Sequence, residues 1–247
     1  FYFCFKSFQM NQVITQHGWG LDQSFWDNYK IEFQRNGWHW QDNERGYFSK
    51  NINQAKWIQN NLNDQIKMIL CHSLGFHLIQ ENLLDEASHV VFINSFNNFL
   101  PSSKQRNLIY RSLKRMEKKI MLFEAEVMLK EFIRRSFLPN NMSINFQTMF
   151  YKNLENLNNN LLLSDLKKLY TDKNSLKSFE KNCNVIIINS KNDLILDQDS
   201  SDDFIELLKK TLTKKPTLIE LDNQGHCLTN LNFYQIIKRT LDNKYEK

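Results

Sequence analysis

Short apolar runs and longer amphipathic stretches take turns along this chain, and their order predicts its elements. Val13-Ile14-Thr15-Gln16 is a β-prone run, and Trp38-His39-Trp40 alternates toward Glu44-Arg45-Gly46-Tyr47 as a second strand and its loop. Ile66 to Leu70, Val90 to Ile93, Val185 to Ile188 and Thr217 to Leu221 supply further strands. Helical spacing is expected over Asn53 to Leu62, Leu74 to Leu84, Asp202 to Leu212 and about Leu231 to Leu241. Strands that are nearly continuous apolar runs, alternating with helices, indicate a parallel sheet covered on both faces. From about residue 100 to 180 no strand pattern occurs. Ser102 to Arg135 and Leu154 to Tyr170 read instead as long helices.

Composition narrows the class. The 247 residues are enough for one large core, and the 41% hydrophobic content is that of a globular chain. No run approaches 18 consecutive apolar residues, so no membrane span is expected. The apolar start, Phe1 to Phe5, has neither a basic region nor a small-residue cleavage site and is read as a strand. The cysteines (Cys4, Cys71, Cys183, Cys227) are scattered without CxxC spacing. They read as buried thiols of a reducing, cytoplasmic compartment, and the histidines form no metal-ligand cluster. Net charge is +5, yet residues 101–180 hold 15 Lys/Arg against 8 Asp/Glu, so the helical segment carries the positive charge. That excess suits either a solvated helix surface or a docking face for an acidic partner. With no reading motif for bases, nucleic acid is not an expected partner.

Only six glycines occur, and four lie in His17-Gly18-Trp19-Gly20, Cys71-His72-Ser73-Leu74-Gly75 and Gly225-His226. Ser73, between a strand and a helix, has the setting of a nucleophile elbow, with Cys71 where the first glycine usually stands. His226, after the last strand, is the expected general base. His72 is expected to point elsewhere, and His39 and His89 read as strand-end or surface residues. Asp193 is expected to orient the imidazole, with Asp197 and Asp199 as fallbacks. The backbone N–H groups of Trp19 and Leu74 are the expected oxyanion donors. No cofactor is called for.

These motifs resemble the α/β-hydrolase superfamily across nearly the whole chain. Within it, His17 to Leu21 with Trp26, and Cys71 to Gly75, look like the pimeloyl-[acyl-carrier protein] methyl ester esterases of biotin synthesis. The resemblance implies a hydrolase core over residues 1–99 and 181–247, with a helical cap over 100–180 inserted after a central strand. It implies a leading hairpin reduced to about Phe1 to Phe8. It also implies a serine carboxylesterase whose Trp19 and Leu74 supply the oxyanion donors and whose acyl ester arrives on an acidic acyl-carrier protein. Basic cap residues such as Arg111, Arg115, Arg134 and Arg135 would meet that carrier. A generalist esterase, a thioesterase or an acyltransferase would use the same residues, and a binding module could keep the fold without the chemistry.

Overall fold

A computed structural model describes residues 10–50, 52–59, 65–171, 182–229 and 231–242. The strand expected at Phe1 to Phe5 and the short leading hairpin lie outside these residues. The described chain runs β1 (Gln12–Gln16), α1 (Asp27–Arg35), β2 (His39–Asn43), β3 (Lys67–His72), α2 (Gly75–Leu78), α3 (Glu81–Asp85) and β4 (His89–Ile93). It continues through α4 (Arg106–Met121), α5 (Ala125–Phe137), α6 (Ile144–Asn153) and α7 (Asn159–Thr171) to β5 (Asn184–Ser190), α8 (Gln198–Thr211), β6 (Thr217–Leu221) and α9 (Phe233–Asp242).

The six strands form one parallel sheet in the order β2-β1-β3-β4-β5-β6. Successive side chains of a strand face opposite ways, and here both faces are apolar. Val13, Met68, Leu70, Val91 and Ile186 join a core with α1, α9 and the inserted helices. Ile14, Ile69, Cys71, Phe92 and Ile187 join another with Phe76, Leu83, Phe204 and Leu208. Helices α4 to α7 lie between β4 and β5 in the chain, and α4 packs on both α5 and α7. The parallel sheet, the presence of flanking helices and the inserted helical region agree with the residue pattern, while α6 lies outside the stretches expected to be helical.

Two expected helices take another form. Residues 53–59 of the helix expected at Asn53 to Leu62 are non-helical, and 60–62 lie outside the described residues. Side-chain amides claim this backbone. Gln12 donates to the Ile58 carbonyl and accepts its N–H, both at 2.9 Å, while Asn43 Oδ1 accepts the Ala55 N–H at 2.8 Å. Gln41 bonds both the carbonyl and the N–H of Lys56. Such bonds offer the backbone an alternative to the helical ladder. The helix expected over Leu74 to Leu84 breaks at Ile79 and Gln80, where ψ is 146° and 136°. The restart in α3 buries Ile79, Leu83 and Leu84 in the second core.

Candidate active site

Open parallel sheets collect ligand-contacting loops at the carboxyl ends of their strands. Here those ends deliver Trp19 after β1, Ser73 after β3, Asp193 after β5 and His226 after β6. Ser73 has φ 54°, left-handed backbone that non-glycine residues rarely adopt. The turn is held because the Ser73 N–H donates to the Ile93 carbonyl of the neighbouring strand at 2.9 Å. Two residues on, a Cβ at Gly75 would stand 2.4 Å from the Gln16 carbonyl oxygen, so only glycine lets α2 pass β1 this closely. Cys71, by contrast, ends up fully buried among Ile14, Phe76 and Phe92, where a small apolar side chain fits.

The three residues singled out by their order in the chain meet. Ser73 Oγ lies 2.8 Å from His226 Nε2, and His226 Nδ1 lies 2.6 Å from Asp193 Oδ2. A carboxylate oxygen only accepts, so Nδ1 carries a hydrogen and Nε2 is left to accept the serine proton. The other oxygen of Asp193 accepts the N–H groups of Ile195 and Leu196 at 2.7 and 2.9 Å, which fixes the carboxylate plane. The fallback Asp197 instead caps α8 through the Asp199 N–H at 3.0 Å. Ser73 and His226 are both buried, at 7% and 3% exposure. Cys71 and Cys227 flank them, but burial pushes both thiols well above their ordinary range, so neither competes as a thiolate nucleophile.

His72 does not point away, as its position beside the serine suggested. Its Nε2–H donates to the His226 carbonyl at 2.9 Å and its ring centroid is 5.0 Å from that of His226. Burial, with His226 alongside, pushes its pKa well below the usual histidine value, so it stays neutral. His89, expected at a strand end or the surface, begins β4 and is buried.

Trp19 sits in a turn closed by the Leu21 N–H on the Gly18 carbonyl, and its indole N–H donates to the Leu162 carbonyl of α7 at 2.9 Å. Among the described residues, neither the Trp19 N–H nor the Leu74 N–H has a hydrogen-bond partner. The loop is braced beneath. His17 Nδ1–H donates to the Gly18 carbonyl at 3.0 Å, while His17 Nε2 accepts the Arg45 N–H at 3.1 Å. The Arg45 side chain then forks onto Asp165 of α7 at 2.6 and 2.8 Å, and Tyr47 donates to the same carboxylate at 2.8 Å.

A cavity of about 580 Å³ opens above Ser73 and His226, between α4 and α5, with Trp19, Met128, Phe132 and Leu169 among its apolar walls. That volume falls within the usual range of small-ligand pockets. Lys119 and Arg135 also line it. Of the four arginines expected to meet a partner, only Arg135 reaches this cavity. Arg111 and Arg115 are exposed on α4, and Arg134 is committed to Glu131 through two bonds of 2.8 and 2.9 Å. Among the described residues, no group of His, Cys, Asp and Glu could hold a metal ion, and no helix is long and apolar enough to cross a membrane.

Sequence reasoning passed over Asn94, Arg45, Tyr47 and Asp165. Asp165 carried a signal, since it shares a helix face with Leu162 and Leu169, and a carboxylate on a buried face needs a partner.

No protein-family model matches the chain, and no curated protein matches it in sequence. Solved structures do match in shape. A bromoperoxidase from Bacillus anthracis superposes with a TM-score of 0.70 at 15% identity, over 96% of this chain and 92% of its own. An enol-lactonase from Burkholderia xenovorans gives 0.65 at 11% identity, over 96% and 92%. A carboxylesterase structure from Nitrososphaera gargenis gives 0.63 at 15%, over 95% and 90%. At these identities the likeness is one of fold, and the fold this chain shares with them is that of the α/β-hydrolases.

Proposed function

We propose that this protein is a serine hydrolase of carboxylic esters. The observation that carries the reading is the unbroken path from Ser73 Oγ through His226 to Asp193, at 2.8 and 2.6 Å, on the floor of an apolar cavity. In this reading Ser73 Oγ attacks the ester carbonyl carbon while His226 Nε2 takes the hydroxyl proton. The N–H groups of Trp19 and Leu74 meet the negative oxygen that forms, a kind of contact whose loss costs about 10²–10³ in rate. The imidazolium then protonates the departing alkoxide, and the alcohol leaves. Water, deprotonated by His226, attacks the acyl-serine and releases the acid. Asp193 keeps the imidazole in the required tautomer and stabilises its charged form throughout. Helices α4 to α7 act as the cap that shapes the acyl pocket and keeps water from it.

Ser73→Ala is expected to abolish hydrolysis of short p-nitrophenyl esters and labelling by a fluorophosphonate while leaving the fold intact. Unchanged turnover refutes the assignment. A narrower substrate is favoured by Lys119 and Arg135, which with Glu131 are the charged residues lining a mainly apolar cavity: the methyl ester of a pimeloyl chain on an acidic carrier protein. Its test is growth without biotin of a bacterium lacking its own esterase. Restored growth supports this substrate, and failure despite a folded, esterase-active protein refutes it in favour of a generalist esterase.

A further inference from the structure

Asn94 directly follows β4, where three arms of the candidate site meet. It is buried, at 1% exposure, and holds φ 45°, a left-handed conformation that Asn tolerates better than most side chains. Both ends of its amide are in use. Oδ1 accepts the Ser190 N–H at 2.8 Å. Nδ2 donates to the His226 carbonyl at 2.7 Å and to Ser190 Oγ at 2.9 Å, and leans toward the Gly225 carbonyl at 3.3 Å. Its own N–H donates to the Ile188 carbonyl at 2.9 Å, and the carbonyl of the preceding Ile93 accepts the Ser73 N–H at 2.9 Å.

One residue is therefore bonded to the last position of the strand that leads to Asp193 and to the backbone of His226, and it adjoins the anchor of the Ser73 turn. The outer parts of the acid and base loops have a tie of their own, from the Asn223 N–H to Asn192 Oδ1 at 3.0 Å. On the inner side the His226 carbonyl has two side-chain donors, Asn94 and His72. His72 reaches only the base loop through this bond, whereas Asn94 bonds the acid and base arms at once.

We propose that Asn94 is a positioning residue that sets the spacing between the Asp193 and His226 arms and thereby holds the imidazole in line with Ser73. The proposal rests on the reading of Ser73, His226 and Asp193 as the reacting groups. The physical argument is one of tolerance: a misplacement near 1 Å can cost about 10²-fold in rate. Two loops that leave separate strands have no covalent reason to keep their distance.

Asn94→Gly is the discriminating variant. Glycine adopts φ 45° without strain, so the change removes the amide while easing the backbone. Asn94→Asp is the companion. It keeps the side-chain shape and the acceptor toward Ser190, but turns the donor end into an oxygen facing two carbonyls. Each variant is read by steady-state kinetics on a p-nitrophenyl ester and by the low-field proton resonance of the His226–Asp193 hydrogen bond. For both variants kcat is expected to fall about 10²-fold with KM within about threefold of the parent, and the low-field resonance to shift or vanish. A variant that folds with parental kcat and an unchanged resonance overturns the proposal. So does a fall in kcat with the resonance unmoved, because the effect then bypasses the acid–base pair. Should the parent hydrolyse no ester while its resonance still moves on substitution, the ester-hydrolase reading fails and the positioning role stands.

Discussion

Asp165→Asn is the most revealing stability test, because the structure supplies each part of its magnitude. Asp165 is fully buried and accepts three donors, two from Arg45 and one from Tyr47, so it bolts α7 to the loop after β2. The amide keeps the volume but removes the charge and turns an N–H₂ toward the guanidinium or the phenol. Breaking a buried ion pair on one side costs about 3–5 kcal/mol. Arg45 retains 33% side-chain exposure and can recover some hydration, which places the loss near the lower end, about 3 kcal/mol. Tyr47, wholly buried, has no such recourse. For a chain of this size about 1 kcal/mol moves the melting temperature by roughly 2–4 °C, so a fall of roughly 6–12 °C is expected. Scanning calorimetry of the two proteins at equal concentration measures it. A fall of less than about 2 °C refutes the reasoning. A second arm separates charge from packing. Arg45→Met, Tyr47→Phe and Asp165→Leu combined should recover much of the lost stability, since apolar replacements of buried ion pairs are often neutral or better. Ester turnover in the same variants reports whether α7, through Leu162 and the Trp19 indole, also steadies the loop that holds Trp19.

Three further outcomes are expected. Gly75→Ala would place a methyl 2.4 Å from the Gln16 carbonyl oxygen; soluble yield and melting temperature should both drop sharply, and a parent-like protein would show that α2 can shift away from β1. Glu117 should make the helical segment sensitive to acid. The hydrogen bond from Lys114, opposed by burial and aided by the Tyr170 hydroxyl, holds its carboxyl below the ordinary 4.5. A depressed folded-state value means stabilisation that is present above about pH 4.5 and lost as pH falls through the folded value. Melting temperature between pH 6 and 3.5 should then fall less in Glu117→Gln than in the parent, and parallel curves would refute the role. Finally, native labelling with a thiol reagent should spare Cys71, Cys183 and Cys227, all buried; rapid modification of any of them would contradict the packing.

The sheet was legible because its central strands are buried on both faces. Runs such as Met68 to Leu70 and Val185 to Ile188 are apolar throughout, and such runs between amphipathic helices have few other solutions. The places of Ser73, Asp193 and His226 were legible for a related reason: each follows a strand, and the carboxyl ends of parallel strands share one edge of the sheet. What sequence alone left open is whatever depends on partners far along the chain. Residues 53–59 have a composition that can form a helix, yet Gln12, Gln41 and Asn43 claim their backbone, and those amides lie as many as 46 positions away. His72 was placed by its neighbour in sequence, but its surroundings are set by the His226 carbonyl, 154 positions distant. Asp165 and Arg45 stand 120 positions apart and Asn94 and His226 132, with no local periodicity to join them. Local pattern thus determined which segments become the strands of the sheet and which strand ends the candidate site residues follow. Long-range hydrogen bonding between residues brought together by the sheet decided how the loops at those ends are braced and how closely Asp193, His226 and Ser73 approach.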